Sequence, residues 1–152
     1  MKLLFVCLGN ICRSPMAEGL MAYHLERLGL NNQIEVDSCG TGDWHAGELA
    51  DPRMRSTALK NGIELTHRAR QITLQDFDVF DHILVMDHQN LSDVVALNPD
   101  MSHKVKLMAD WHPEHQNKIV PDPYFGDQKG FDDVFHLLNE ITEHIAKDLH
   151  QQ

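Results

Sequence analysis

The fold is decided by residues 2–16, which read KLLFVCLGNICRSPM. The apolar run from Lys2 to Val6 predicts a β-strand, and the glycine-containing segment after it predicts a loop. Ser14 as N-cap and Pro15 in the first helical position predict that a helix begins directly after this loop. The stretch therefore predicts a strand, a short loop and a helix in immediate succession.

The rest of the chain repeats this alternation of strands and helices. Apolar residues at helical spacing extend the first helix to about Leu28, and Gly29 ends it. Short apolar runs predict three further strands, at residues 34–37, 82–86 and 104–108. Capping residues and helical periodicity predict three further helices, at residues 51–62, 87–97 and 131–149. The pattern predicts one α/β domain over residues 1–152, with a four-stranded parallel sheet in flavodoxin-like order 2-1-3-4 and helices on both faces.

Charge and cysteine content narrow the possible partners. The formal net charge of -10 disfavours binding to nucleic acid or to an anionic membrane surface. The N-terminal apolar run reaches Gly9 too soon for a signal peptide or a membrane span, so we expect a cytoplasmic protein. The odd number of cysteines argues against a disulfide framework and for free or reactive thiols. They are Cys7, Cys12 and Cys39, the last expected as a small buried residue in the loop after the second strand.

Residues Cys7 to Ser14 have the form C-x5-R-S, between a strand and a helix N-terminus. Ligands of open parallel sheets bind beyond the carboxyl ends of the strands. A loop of this length can direct successive backbone N–H groups at one tetrahedral anion, and Arg13 can add a bidentate guanidinium. The segment lacks the Gly-Lys-Ser/Thr of a nucleotide-binding loop. It therefore predicts a site for a single phosphate group.

Cys7 lies where the strand enters this loop, and the donors that bind phosphate would also stabilise a thiolate. A catalytic nucleophile and a buried structural cysteine are the two interpretations. Ser14 either donates its hydroxyl to the sulfur or only caps the helix. Asp122, between two prolines in the loop after the fourth strand, is a candidate acid for the leaving oxygen, with an ordinary Asp-Pro turn as the alternative.

Two segments together, Val6 to Pro15 and Asp122-Pro123-Tyr124, closely resemble the low-molecular-weight protein tyrosine phosphatases. The resemblance covers nearly the whole chain, and four intermediate segments share it: Asp43-Trp44, Asp51-Pro52-Arg53, residues 67–71 and residues 83–87. It implies hydrolysis of phosphotyrosine and small aryl phosphates through a cysteinyl-phosphate intermediate, with no cofactor and no metal. It also implies a phosphotyrosine-containing protein as substrate, and we expect a monomer or a weak homodimer.

The resemblance also implies a role for each residue of the site. Cys7 is the nucleophile, Arg13 the phosphate clamp and Asp122 the general acid. The remaining residues of the phosphate-binding loop are Leu8, Gly9, Asn10, Ile11, Cys12 and Ser14. His67 braces Asn10, which has an unusual backbone conformation, although Thr66-His67-Arg68 alone reads as a solvated turn. A slot for the aryl group, deep enough to favour phosphotyrosine over phosphoserine, is walled by Ile11, Trp44 and Tyr124.

Two positions depart from related proteins. Phe125 stands where many family members carry a second tyrosine, so only Tyr124 of this pair remains open to phosphorylation. Ile11 is bulkier than the threonine of the related arginine phosphatases, which disfavours phosphoarginine.

Other functions are weighed against residues that each would need. An arsenate reductase on this scaffold needs relay cysteines, and residues 82–97 contain none. A noncatalytic phosphopeptide-binding module would be expected to lack part of the catalytic set. A metal site at His112 and His115 has no third obvious ligand, so we expect solvated surface there. Cys12 is either a resolving thiol that protects an oxidised Cys7 or a small packed loop residue.

Overall fold

The structure is a computed structural model that describes all of residues 1–152. At its centre lies a four-stranded parallel sheet with the strand order β2-β1-β3-β4. The strands are β1 (Lys2–Cys7), β2 (Glu35–Gly40), β3 (His82–Val85) and β4 (Val105–Leu107). The predicted parallel sheet and its order are confirmed.

Five α-helices connect and flank the strands. They are α1 (Arg13–Arg27), α2 (Pro52–Lys60), α3 (Asp76–Val79), α4 (His88–Leu97) and α5 (Gln128–His150). Two 3₁₀ helices, Pro99–Lys104 and Met108–Trp111, lie on either side of β4. These and α3 were not predicted, because four to six residues are too few to give a periodic pattern. No helix combines the length and the apolar character needed to cross a membrane.

The central strand β1 explains why both faces of the sheet carry helices. Successive side chains of a strand point to opposite faces, and residues 3–6 are all apolar and fully buried. Leu3 and Phe5 pack with residues of α1, α2 and α5, whereas Leu4 and Val6 pack with residues of α3 and α4. The layers on the two faces agree with the prediction, and the end of β1 is held between them.

Two sequence predictions near this end of β1 were wrong. Helix α1 begins at Arg13 with Cys12 in the N-cap position, and Ser14 lies inside the first turn without capping it. Strand β2 continues to Gly40, so Cys39 belongs to the strand and not to the following loop, although it is fully buried as expected. The register pairs Cys39 with Val6 and Gly40 with Cys7, so β2 extends as far as β1 does.

Candidate active site

The phosphate loop, residues 7–14, joins β1 to α1 at the carboxyl edge of the sheet. Its carbonyl groups face neighbouring segments: the N–H groups of Thr41, Gly42 and Asp51 donate to the carbonyls of residues 7, 8 and 11 at 2.8–2.9 Å. The backbone N–H groups of residues 8–12 donate no hydrogen bond within the protein. They are therefore available to an anion, as the motif predicts.

Cys7 and Ser14 are in direct contact at the two ends of this loop. Cys7 Sγ lies 3.0 Å from Ser14 Oγ. Asn10, with a φ of 56°, donates from Nδ2 to Ser14 Oγ at 2.7 Å and to Ser38 Oγ at 3.0 Å. Because Asn10 supplies a proton to Ser14 Oγ, the hydroxyl proton is left for the Cys7 sulfur or for the carbonyl of Cys39 at 3.3 Å. The two open interpretations of Ser14 are thus separated: the hydroxyl contacts the sulfur and does not cap α1.

His67 holds the other end of the Asn10 side chain. Its Nε2 lies 2.9 Å from Asn10 Oδ1, which also accepts the N–H of Arg70 at 3.0 Å. Nδ1 lies 3.2 Å from Glu18 and 3.5 Å from Asp37. Burial raises the pKa of Glu18 to about 7 and lowers the pKa of His67, so burial disfavours the charged form of each side chain. His67 is largely enclosed, in contrast to a solvated turn.

Arg13 is almost completely buried and is fixed through one nitrogen. Nη1 donates to Asp87 at 2.6 Å and to the carbonyl of Val120 at 3.1 Å, whereas Nη2 lies 3.6 Å from Asp122. Burial alone would lower the pKa of Arg13, but Cys7 and these carboxylates outweigh it and raise the pKa. Nε and Nη2 make no hydrogen bond within the protein, so they can form the fork that binds two phosphate oxygens.

Asp122 lies on the acid segment, which we define as residues 112–127 between β4 and α5. Its side chain is 39% exposed and accepts the N–H of Tyr124 at 3.0 Å. Besides the bond from Arg13 Nη1 to the Val120 carbonyl, two hydrogen bonds attach this part of the segment to the rest of the molecule. Val120 donates its N–H to the carbonyl of Met86 at 2.8 Å, and Arg53 Nη2 donates to the carbonyl of Tyr124 at 3.0 Å.

A cleft opens above the phosphate loop and brings most of the predicted site together. Its lining comprises Cys7, Leu8, Gly9, Ile11, Cys12, Arg13, Trp44, His45, Asp122, Tyr124 and Phe125. The three predicted slot residues are all present, and the cysteine, the arginine and the aspartate share the cleft floor and wall. Trp44 and Phe125 are 68% and 94% exposed and stand at the mouth. The geometry suits an anion at the floor and a flat ring above it.

Three supporting residues were assigned no role from the sequence. Asp87 binds Arg13 and also caps α4 by accepting the N–H of Asn90 at 2.8 Å. Glu18 contacts His67, and Arg53 joins α2 to the acid segment. For Asp87 a signal existed: it follows β3, the neighbour of β1, and so lies at the same sheet edge as the phosphate loop.

Comparison with known proteins agrees with this geometry. The family model described as low molecular weight phosphotyrosine protein phosphatase matches residues 2–152. A low molecular weight phosphotyrosine protein phosphatase of Schizosaccharomyces pombe is 42% identical over 150 residues, which cover 97% of this chain and 96% of the relative.

Two solved structures are similar over nearly their whole length. A protein tyrosine phosphatase of Entamoeba histolytica, crystallised with Hepes in the active site, superposes with a TM-score of 0.93 at 37% identity, covering 99% of this chain and 97% of that one. YwlE of Bacillus subtilis, an arginine phosphatase solved as a mutant with a phosphorylated active site serine, gives a TM-score of 0.90 at 28% identity, covering 98% and 95%.

Proposed function

This chain belongs to the low molecular weight phosphotyrosine protein phosphatases, hydrolases that act through a cysteinyl-phosphate intermediate, and we propose that Cys7, Arg13 and Asp122 perform that reaction here. The observation that carries the assignment is the contact geometry of one cleft. Cys7, Arg13 and Asp122 line the same cleft, and Arg13 Nη2 lies 3.6 Å from Asp122.

In the first step the Cys7 thiolate attacks the phosphorus of the aryl phosphate. An S–P bond forms while the bond from phosphorus to the phenolic oxygen breaks. Asp122, as the carboxylic acid, protonates that leaving oxygen. Arg13 and the N–H groups of residues 8–12 bind the three equatorial oxygens, whose charge is greatest in the transition state.

In the second step a water molecule attacks the cysteinyl-phosphate. The S–P bond breaks, Asp122 as carboxylate accepts a proton from the water, and orthophosphate forms. Ser14 donates its hydroxyl to the departing Cys7 sulfur, which lowers the cost of releasing a thiolate. Asn10, fixed by His67, keeps that hydroxyl in place by donating to its oxygen.

The substrate is proposed to be a phosphotyrosine-containing protein. The exposed rings of Trp44 and Tyr124, with Ile11 beside them, form walls that a phenyl ring can fill and that phosphoserine is too short to reach. Ile11 is bulkier than the threonine of the related arginine phosphatases, and we expect it to disfavour phosphoarginine.

One assay tests this function against its alternatives. Turnover of phosphotyrosine, phosphoserine and phosphoarginine peptides, together with arsenate reduction, is compared at equal enzyme concentration. We expect phosphotyrosine to be hydrolysed with the highest kcat/KM and arsenate not to be reduced. Preferred turnover of phosphoarginine, or thiol-dependent arsenate reduction, would overturn the assignment.

We further propose that residues 1–152 form a single phosphatase domain that acts in the cytoplasm as a monomer or weak homodimer, without a cofactor. The match of the family model to residues 2–152 supports the single domain. The acidic charge of -10 supports a substrate that is not a nucleic acid or a membrane surface. Light scattering after size exclusion, at several protein concentrations, tests the oligomeric state.

Cys12 is proposed to protect Cys7 from irreversible oxidation. Both thiols are free, buried and part of the same cleft lining. Burial raises the pKa of Cys12, so Cys12 stays protonated and peroxide is expected to oxidise Cys7 to a sulfenic acid. Attack of the Cys12 sulfur on that sulfenic acid then forms a disulfide and releases water.

Peroxide should therefore inactivate the enzyme reversibly, and dithiothreitol should restore its activity. Peptide mapping of the inactive enzyme should find a bond between Cys7 and Cys12. In Cys12→Ser the same treatment should become largely irreversible. Recovery as complete as in the parent protein would exclude Cys12 as the protecting thiol.

A further inference from the structure

A second cluster of ionisable side chains lies outside the cleft, where the start of the acid segment meets α5. It consists of His112 and His115, three positions apart in a turn, and Glu140 on the helix. None of these residues lines the cleft. The sequence analysis rejected a metal site here because a third ligand was not apparent, and the fold supplies one from 25 residues further along the chain.

The distances within the cluster suit a small metal ion. Glu140 Oε1 lies 3.6 Å from His112 Nε2 and 3.1 Å from His115 Nε2, and the ligand atoms of all three residues lie within 4.8 Å of one another. Four ligands bound tetrahedrally to Zn²⁺ at about 2.0–2.1 Å are about 3.3 Å apart. The two distances from Glu140 Oε1 to the histidine nitrogens, 3.1 and 3.6 Å, lie on either side of that value.

A third histidine lies next to these three residues. His144 is one helical turn after Glu140, a spacing that places both side chains on the same face of α5. Its ring centroid lies 4.7 Å from that of His112, and the His112 and His115 centroids are 4.6 Å apart. Three imidazoles and one carboxylate are thus gathered at one place, a set of ligands typical of Zn²⁺.

Hydrogen bonds within the protein do not satisfy this cluster. Nδ1 of His115 is buried and has no hydrogen-bond partner, whereas buried polar atoms are normally paired. His112 and Glu140, at 3.6 Å, are too far apart for a hydrogen bond. The fold therefore brings together imidazole rings whose nitrogen atoms are not all hydrogen-bonded within the protein.

We propose that His112, His115 and Glu140 bind Zn²⁺, with His144 as the nearest further ligand. The ion would join the turn at residues 112–115 to α5, and so tether the start of the segment that carries Asp122. The site is separate from the proposed catalytic chemistry and adds no step to it.

Zn²⁺ must displace a proton from His112. The N–H of Glu114 donates to His112 Nδ1 at 3.1 Å, so the neutral ring carries its proton on Nε2, which faces Glu140. Binding of Zn²⁺ through Nε2 requires that proton to leave or to move to Nδ1. The backbone N–H of Glu114, an exposed residue, can then donate to water instead of to His112.

The test uses the full chain without an affinity tag, carrying Cys7→Ser and Cys12→Ser so that thiols of the cleft do not bind the metal. After treatment with a chelator, the protein is titrated with Zn²⁺ by calorimetry and with Co²⁺ by absorption spectroscopy. We expect one equivalent to bind. The Co²⁺ spectrum should have the visible bands of a tetrahedral site and no near-ultraviolet band from a cobalt–thiolate bond, and Zn²⁺ should raise the Tm.

Single substitutions locate the ion. His115→Asn and Glu140→Gln, both at partly exposed side chains, should each weaken Zn²⁺ binding by at least about tenfold. His150→Asn, at an exposed position near the end of the same helix, is the matched control and should bind as the parent does. Equal affinity in all three variants, or no binding once the thiols are replaced, would overturn the proposal. The cluster would then be held by hydrogen bonds without a metal ion.

Discussion

The phosphate loop and the acid segment face each other across the cleft but are built in different ways. In the phosphate loop the side chains of Asn10, Arg13 and Ser14 are buried and joined by hydrogen bonds to three other parts of the chain. In the acid segment Asp122 is 39% exposed and Phe125 almost fully exposed. Three hydrogen bonds attach residues 120–124 to the remainder, and all of them involve backbone groups of Val120 and Tyr124.

This difference follows from what each region binds. The phosphate is the same in every substrate, so its donors gain from being fixed before it arrives. The leaving group and the protein behind it vary, and their side of the cleft gains from side chains that can adjust. Removing a phosphate donor of the phosphate loop should therefore affect both binding and turnover, whereas a substitution in the acid segment should affect turnover alone.

The largest effect on turnover is expected at Cys7, where catalysis by the phosphate loop can be separated from its binding of phosphate. Cys7→Ser should abolish turnover and retain binding of phosphate or vanadate, because the loop amides and Arg13 remain. Arg13→Ala should lose both. Vanadate affinity and kcat measured on each variant test this, and a Cys7→Ser rate within tenfold of the parent would exclude the covalent mechanism.

The next effect tests the acid segment. Asp122→Asn should slow hydrolysis of phosphotyrosine by about 10²- to 10⁴-fold, the usual contribution of a general acid, and should slow aryl phosphates with good leaving groups less. Binding of vanadate should change little. Rates are compared across a pH series and a leaving-group series, and an unchanged pH profile would reassign the acid.

Two asparagines allow a matched comparison of stability, since both have a positive φ. Asn10 in the phosphate loop has a φ of 56° and Asn117 in the acid segment a φ of 64°. Asn117→Ala should lower the free energy of unfolding by about 1 kcal/mol, from backbone strain alone. Asn10→Ala also loses the bonds to Ser14, Ser38 and His67, and should cost about 3 kcal/mol. Urea unfolding of both variants measures the difference, and equal costs would mean that the buried network adds nothing.

The smallest effect is expected at Arg53, which contacts the acid segment through the carbonyl of Tyr124 at 3.0 Å. Because Arg53 is partly exposed and contributes one hydrogen bond to the segment, Arg53→Ala should lower kcat by at most about tenfold. Vanadate affinity should stay within twofold, because Arg53 is not part of the phosphate loop. A larger loss of vanadate affinity than of kcat would contradict the division between the two regions.

The sequence predicted those features that depend on local pattern. Alternation of strands and helices was enough for the sheet order, and the C-x5-R spacing placed the anion site. The N-cap was misplaced at Ser14, because a Ser-Pro pair is typical of a helix start. The contact between the Ser14 hydroxyl and the Cys7 sulfur was one of two interpretations, and the structure contains it. Two other contacts join residues that are far apart in the sequence: Arg13 with Asp87, 74 residues away, and His115 with Glu140. Such contacts depend on the tertiary fold and cannot be predicted from the spacing of residues.

The free N–H groups of the phosphate loop also link the folding equilibrium to the reaction product. They are brought together only when β1, α1 and their neighbours are folded, so orthophosphate binds the native chain and not the unfolded one. By mass action, phosphate at a hundred times its Kd should stabilise the fold by about 2.7 kcal/mol. The same anion that inhibits the enzyme by occupying its site should therefore protect it against heat and proteolysis. A thermal shift that grows with phosphate concentration, and disappears in Arg13→Ala, would measure this linkage directly.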